Sequence, residues 1–129
     1  MTHKYFEKSD AWLFATVKLM NKRKLLLKNL LRMGDTLNHA IFTLEQINNG
    51  LSRLESENYI EFVGNKIYIT EKAKRLINSN RKGIFEPCIE ELYRYSNLFE
   101  TIQLQNEVVY KEYFSEEDYK KALHLLAID

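Results

Sequence analysis

The sequence predicts a mainly α protein with one small β-hairpin, an α+β chain carrying a C-terminal helical extension. Three observations lead there. Apolar residues recur at spacings of three and four over most of the chain. The period falls to two only around Tyr59–Ile69, on either side of Gly64-Asn65. The charge changes sign along the chain: residues 1–83 hold 15 Lys+Arg and 8 Asp+Glu, whereas residues 84–129 hold 4 and 10.

The first helix is expected over Ala11–Met20, capped by Ser9 or Asp10, whose side-chain oxygens can accept an unpaired first-turn N–H. Trp12, Leu13, Phe14, Val17, Leu19 and Met20 cover most of its surface, which predicts a helix buried among others. After the basic step Asn21–Lys24, a second helix is expected over Leu25–Met33. Gly34 would end it, and a short turn would follow from Asp35 to Ala40. The third helix has two agreeing start signals. Thr43 and Gln46 form a capping box, and Phe42 and Ile47 are placed as a hydrophobic staple. Its inward stripe is Leu44, Ile47, Leu51 and Leu54, and it should run to Glu57.

Tyr59–Val63 and Lys66–Ile69 then read as the two strands of a hairpin. Ile60, Phe62, Ile67 and Ile69 face inward, with Tyr59, Glu61 and Tyr68 alternating outward. Thr70 caps a fourth helix, with Ala73, Leu76 and Ile77 inward. Asn78–Gly83 reads as a linker. An amphipathic helix is expected over Ile84–Glu100, starting near Pro87, followed by an irregular stretch in which Val108–Tyr110 could form a strand. The last helix starts at the capping box Ser115/Asp118. The expected organisation is a domain over residues 1–80 and an acidic helical extension over 84–129.

Three helices, a hairpin and a following helix within about seventy residues make a winged helix-turn-helix order. The stretch TLEQINNGLSRLESENYIEFVGNKIYIT, residues 43–70, resembles bacterial winged-helix regulators of the MarR and PadR kind. Residues 10–42 resemble them more loosely, and residues 84–129 match nothing in that pattern. The segment Asn38–Thr43 is also similar to one in small bacterial winged-helix proteins of unassigned function. The resemblance implies a transcriptional regulator binding double-stranded DNA, often as a homodimer held by helices outside the winged domain. Five tyrosines in the extension (Tyr93, Tyr95, Tyr110, Tyr113 and Tyr119) suit such an interface; packing back on their own core is the alternative.

With the apolar stripe of the third helix inward, Gln46, Asn49 and Arg53 are expected to point outward together. Gln and Asn can bond adenine bidentately and Arg can bond guanine, so these are the base-reading candidates. Lys22, Arg23, Lys24, Lys28, Ser52, Lys66 and Lys72 are the phosphate candidates. Lys18, Arg32, Lys74 and Arg75 extend the basic stretch. A solvated polar face explains the same residues, and Glu45, Glu55 and Glu57 make this helix more acidic than a groove reader needs. A winged-helix protein–protein interaction module is therefore the second reading.

His39 reads as a structural hydrogen-bonder. His3, His39, His124 and Cys88 are too scattered for a metal site, and no phosphate loop or nucleophile motif is present, so neither an enzyme nor a cofactor is expected. A single cysteine fits a reducing compartment. No apolar run approaches the roughly 20 residues needed to span a bilayer. The N-terminus lacks a signal-peptide pattern, and the cytoplasm is the expected location.

Overall fold

The computed structural model describes residues 5–79 and 88–128. They form a mainly helical structure with one three-stranded antiparallel sheet. In chain order the elements are α1 (Lys8–Leu19), β1 (Arg23–Lys24), α2 (Leu27–Asn38), α3 (Leu44–Ser56), β2 (Ile60–Val63), β3 (Lys66–Ile69), α4 (Glu71–Ser79), α5 (Cys88–Glu100) and α6 (Glu116–Ile128). No described helix is long and apolar enough to cross a membrane.

α1 is the central helix, buried continuously from Asp10 to Val17, as its all-round apolar surface requires. It packs against α2, α3 and α5. It starts earlier than its sequence suggests. Glu7 is the cap residue, and Asp10, at the third helical position, accepts the Glu7 N–H at 2.8 Å. An aromatic cluster fills the space between α1, the hairpin and α5: Phe6 lies 4.9 Å from Phe99 and 5.6 Å from Tyr59, ring centre to ring centre. Tyr59, expected on the outer face of the hairpin, is buried there because it precedes β2 and turns into this cluster.

α2 runs straight through Gly34 rather than ending there. The glycine is needed for clearance: a β-carbon at Gly34 would collide with the ring of Phe42, which stacks on Trp12 at 3.6 Å. Trp12 Nε1 donates to the Gly34 carbonyl at 2.9 Å, so the indole locks both. His39 ends the helix instead. It sits in the left-handed region (φ 53°) with its N–H on the Asp35 carbonyl at 2.7 Å, a structural role.

The hairpin pairs Ile60 with Ile69 and Phe62 with Ile67, putting its apolar residues on one face, and Gly64 takes the positive φ of the turn. The sheet has a third strand. The basic step after α1 pairs with β3 as β1, so the order is β1-β3-β2. Thr70 caps α4 through the Ala73 N–H at 3.2 Å.

Leu92, Tyr95 and Phe99 of α5 belong to the same core as α1, and α6 packs against α2. Between them, residues 103–114 run extended without strand pairing beyond one bridge, Tyr5 to Gln103; Val108–Tyr110 is not a strand. From residue 80 on, the expected linker lies outside the described residues, as does the helix start at Pro87.

Candidate nucleic-acid interface

The capping box that fixes the start of α3 forms as its sequence demands. Gln46 N–H donates to Thr43 Oγ1 at 3.0 Å, and Thr43 N–H donates to Gln46 Oε1 at 2.9 Å. The same bond uses the Gln46 carbonyl that a base would need. Gln46 and Asn49 are half-buried.

Arg53 is not on an outward face at all. Its residue exposure is 1%, and its guanidinium grips Asp10 in a fork, Nε to Oδ2 at 2.7 Å and Nη2 to Oδ1 at 3.0 Å. Nη1 reaches the Tyr110 hydroxyl at 3.4 Å, and Glu7 lies 3.5 Å from Nη2. Burial pulls the guanidinium pKa down, but the hydrogen bond and charge of Asp10, helped by Tyr110 and Glu7, raise it above its ordinary value. Arg53 therefore cannot read guanine while the α1–α3 contact stands. The expected trio of Gln46, Asn49 and Arg53 is corrected on this point.

Ser52 is likewise removed from the phosphate candidates, being 1% exposed. The residues responsible are those of the extended strap, 103–114, which lies antiparallel along α3. Asn48 Oδ1 accepts the N–H groups of Tyr113 (3.0 Å) and Phe114 (3.1 Å), while its amide donates to the Phe114 carbonyl at 3.0 Å. Ser52 Oγ accepts from Lys111 N–H at 2.9 Å and Ser56 Oγ from Val109 N–H at 3.3 Å. The buried Glu57 carboxylate takes two more strap amides, Gln105 at 2.8 Å and Asn106 at 2.7 Å. Glu55 binds two strap side chains, Lys111 Nζ at 2.9 Å and the Tyr113 hydroxyl at 2.5 Å. Asn48, Ser52, Glu55 and Ser56 recur at spacings of four, three and one, which is one face of a helix. That polar stripe is visible in the sequence; what covers it is not, because the strap has no periodicity of its own.

The basic residues divide into two groups. Lys18 is bonded to Glu91 and, at 3.0 Å, to the Tyr95 hydroxyl. Lys72 donates to the Glu57 carbonyl at 2.8 Å and lies 5.0 Å from the Tyr59 ring centre. Both are committed to the fold. Lys28 is half-buried on α2. Lys22, Arg23, Lys24 and Lys66 form the second group. All four are exposed, and none has an acidic partner among the described residues. β1 sets Lys24 directly opposite Lys66 and Arg23 opposite Ile67 across the β1–β3 pair, and Lys22 N–H donates to the Ile67 carbonyl at 2.8 Å. Like charges facing each other across an antiparallel pair oppose folding, and Lys22 adds backbone strain with φ 71°. A groove of about 350 Å³ runs beside this edge, with Arg23, Lys24 and Arg32 in its wall.

Compared with protein-family models, curated proteins and solved structures, the chain matches none of them.

Proposed function

We propose that this chain is a winged-helix protein that binds double-stranded DNA through the basic edge of its sheet, by phosphate contact rather than base readout. The observation that carries the reading is the exposed set Lys22, Arg23, Lys24 and Lys66 at one end of the sheet, with Lys24 facing Lys66 and no acidic partners among the described residues. An arrangement that costs stability in isolation is relieved by an anion, and a regularly spaced polyanion relieves all four charges together. The succession of three helices and a hairpin supports the winged-helix assignment, with β1 extending the hairpin at its basic side. α3 contributes little to DNA binding here, since its arginine is buried and its polar stripe is under the strap.

The salt dependence of binding tests this. In fluorescence anisotropy with a mixed-sequence duplex, four phosphate contacts give a log–log slope of roughly −3 to −4 between about 50 and 200 mM salt, with micromolar affinity or weaker. Equal affinity for unrelated duplex sequences is expected. No binding at the lowest salt refutes the proposal.

A second reading, a protein-interaction module, is favoured by a different observation. The polar face of α3 already holds an extended segment of the chain, chiefly by its main chain.

A further inference from the structure

We infer that the polar face of α3 is a docking surface for extended polypeptide, and that the strap is its built-in occupant. The outside partner it fits is a peptide in which a lysine stands two residues before a tyrosine. This inference rests on the second reading above and is independent of DNA binding.

The chemistry of the face is that of a main-chain reader. Asn48, Ser52, Ser56 and Glu57 present acceptors to six strap N–H groups, spread along α3 from its second turn to its C-terminal cap. Asn48 also donates to a strap carbonyl, so one amide side chain satisfies both polarities of the backbone. Bonds of this kind are blind to sequence, as when a peptide is held along a sheet edge. Selectivity comes from Glu55 and Phe62. Glu55 takes the Lys111 ammonium and the Tyr113 hydroxyl together, and the Tyr113 ring stacks on Phe62 with centres 5.4 Å apart. The face carries Glu45, Glu55 and Glu57 and no exposed cation of its own, which suits the lysine of the peptide and repels a nucleic acid.

The strap is suited to leave. Between Gln105 and Glu112 only Val108 is buried, while Val109 and Tyr110 stand 64% and 44% exposed; Leu104, Tyr113 and Phe114 at the two ends are partly buried against the core. Releasing residues 105–112 uncovers chiefly polar side chains that water can satisfy. A segment held chiefly by hydrogen bonds rather than by apolar packing opens below the global unfolding free energy. The tether gives the strap an effective concentration of roughly millimolar, so a free peptide competes poorly until the strap is weakened.

The test uses the full chain and a fluorescein-labelled synthetic peptide of residues 103–114. In the double variant Lys111→Pro/Tyr113→Ala, the proline removes the N–H that Ser52 accepts and the alanine removes the Glu55 and Phe62 contacts. Hydrogen exchange should show the strap amides freed and the α1 amides protected as in the wild type. The variant is expected to bind the peptide at least ten-fold more tightly than the wild type does, and a peptide with Lys111→Glu and Tyr113→Ala should bind at least ten-fold more weakly than the parent peptide. Three results each overturn the inference: strap amides that stay protected in the variant, a variant with freed amides that does not bind the peptide, or equal peptide binding by variant and wild type. Duplex binding is measured separately, so its failure would remove the basic-edge proposal and leave this one standing.

Discussion

Arg53 shows how far one residue's surroundings can reverse its meaning. Read along the helix, it is the cation of a polar trio; in the fold, it is a fully buried partner of Asp10. An ion pair taken out of water stabilises little by itself, but removing one partner leaves the other charged and unsolvated. Arg53→Ala is therefore expected to cost about 3–5 kcal/mol of stability, measured by urea denaturation, and to leave duplex affinity of the folded fraction unchanged. A loss of DNA affinity at full stability would restore Arg53 to the interface. Tyr113 supplies a pH handle. Burial first, then the hydrogen bond and charge of Glu55, raise its hydroxyl pKa above the ordinary 10.0. With the folded value raised, its contribution is complete below about pH 10 and is lost as pH rises through the folded value. Strap release as pH rises through that raised value, followed by tyrosinate absorbance, should be absent in Tyr113→Phe.

At the scale of elements, what was legible in the sequence was what is encoded locally. The Thr43/Gln46 and Ser115/Asp118 boxes, the Gly64-Asn65 turn and the apolar stripe of α3 each involve residues within four positions of one another, and each forms. The misread elements were decided by distant neighbours. Gly34 looks like a helix stop by composition, yet it is a mid-helix clearance for Phe42, eight residues later and stacked on Trp12. β1 is two residues long and exists only because β3 is available to pair with it. The strap is held by side chains roughly fifty to sixty-six residues away in sequence. Gly34→Ala tests this reading of α2. As an ordinary helix position it would gain from alanine, whereas overpacking against Phe42 should cost about 1–3 kcal/mol, seen as a lowered thermal midpoint.

For the molecule as a whole, the charge asymmetry survives folding in a specific form. The acidic C-terminal third does not stand apart from the basic part: α5 packs on α1, the strap on α3 and α6 on α2. Some of the basic residues are thereby consumed, Lys18 by Glu91 among them. The basic residues around β1 are left exposed, and the proposed DNA contact lies there. Two variants compared for duplex affinity at one low salt concentration separate phosphate contact from base readout: Arg23→Ala/Lys24→Ala/Lys66→Ala at the sheet edge, and Asn49→Ala on α3. The edge variant is expected to lose about ten-fold or more, uniformly across duplex sequences, while Asn49→Ala binds as the wild type does. Full binding by the edge variant, or a sequence-dependent loss in Asn49→Ala, would contradict phosphate contact at this edge.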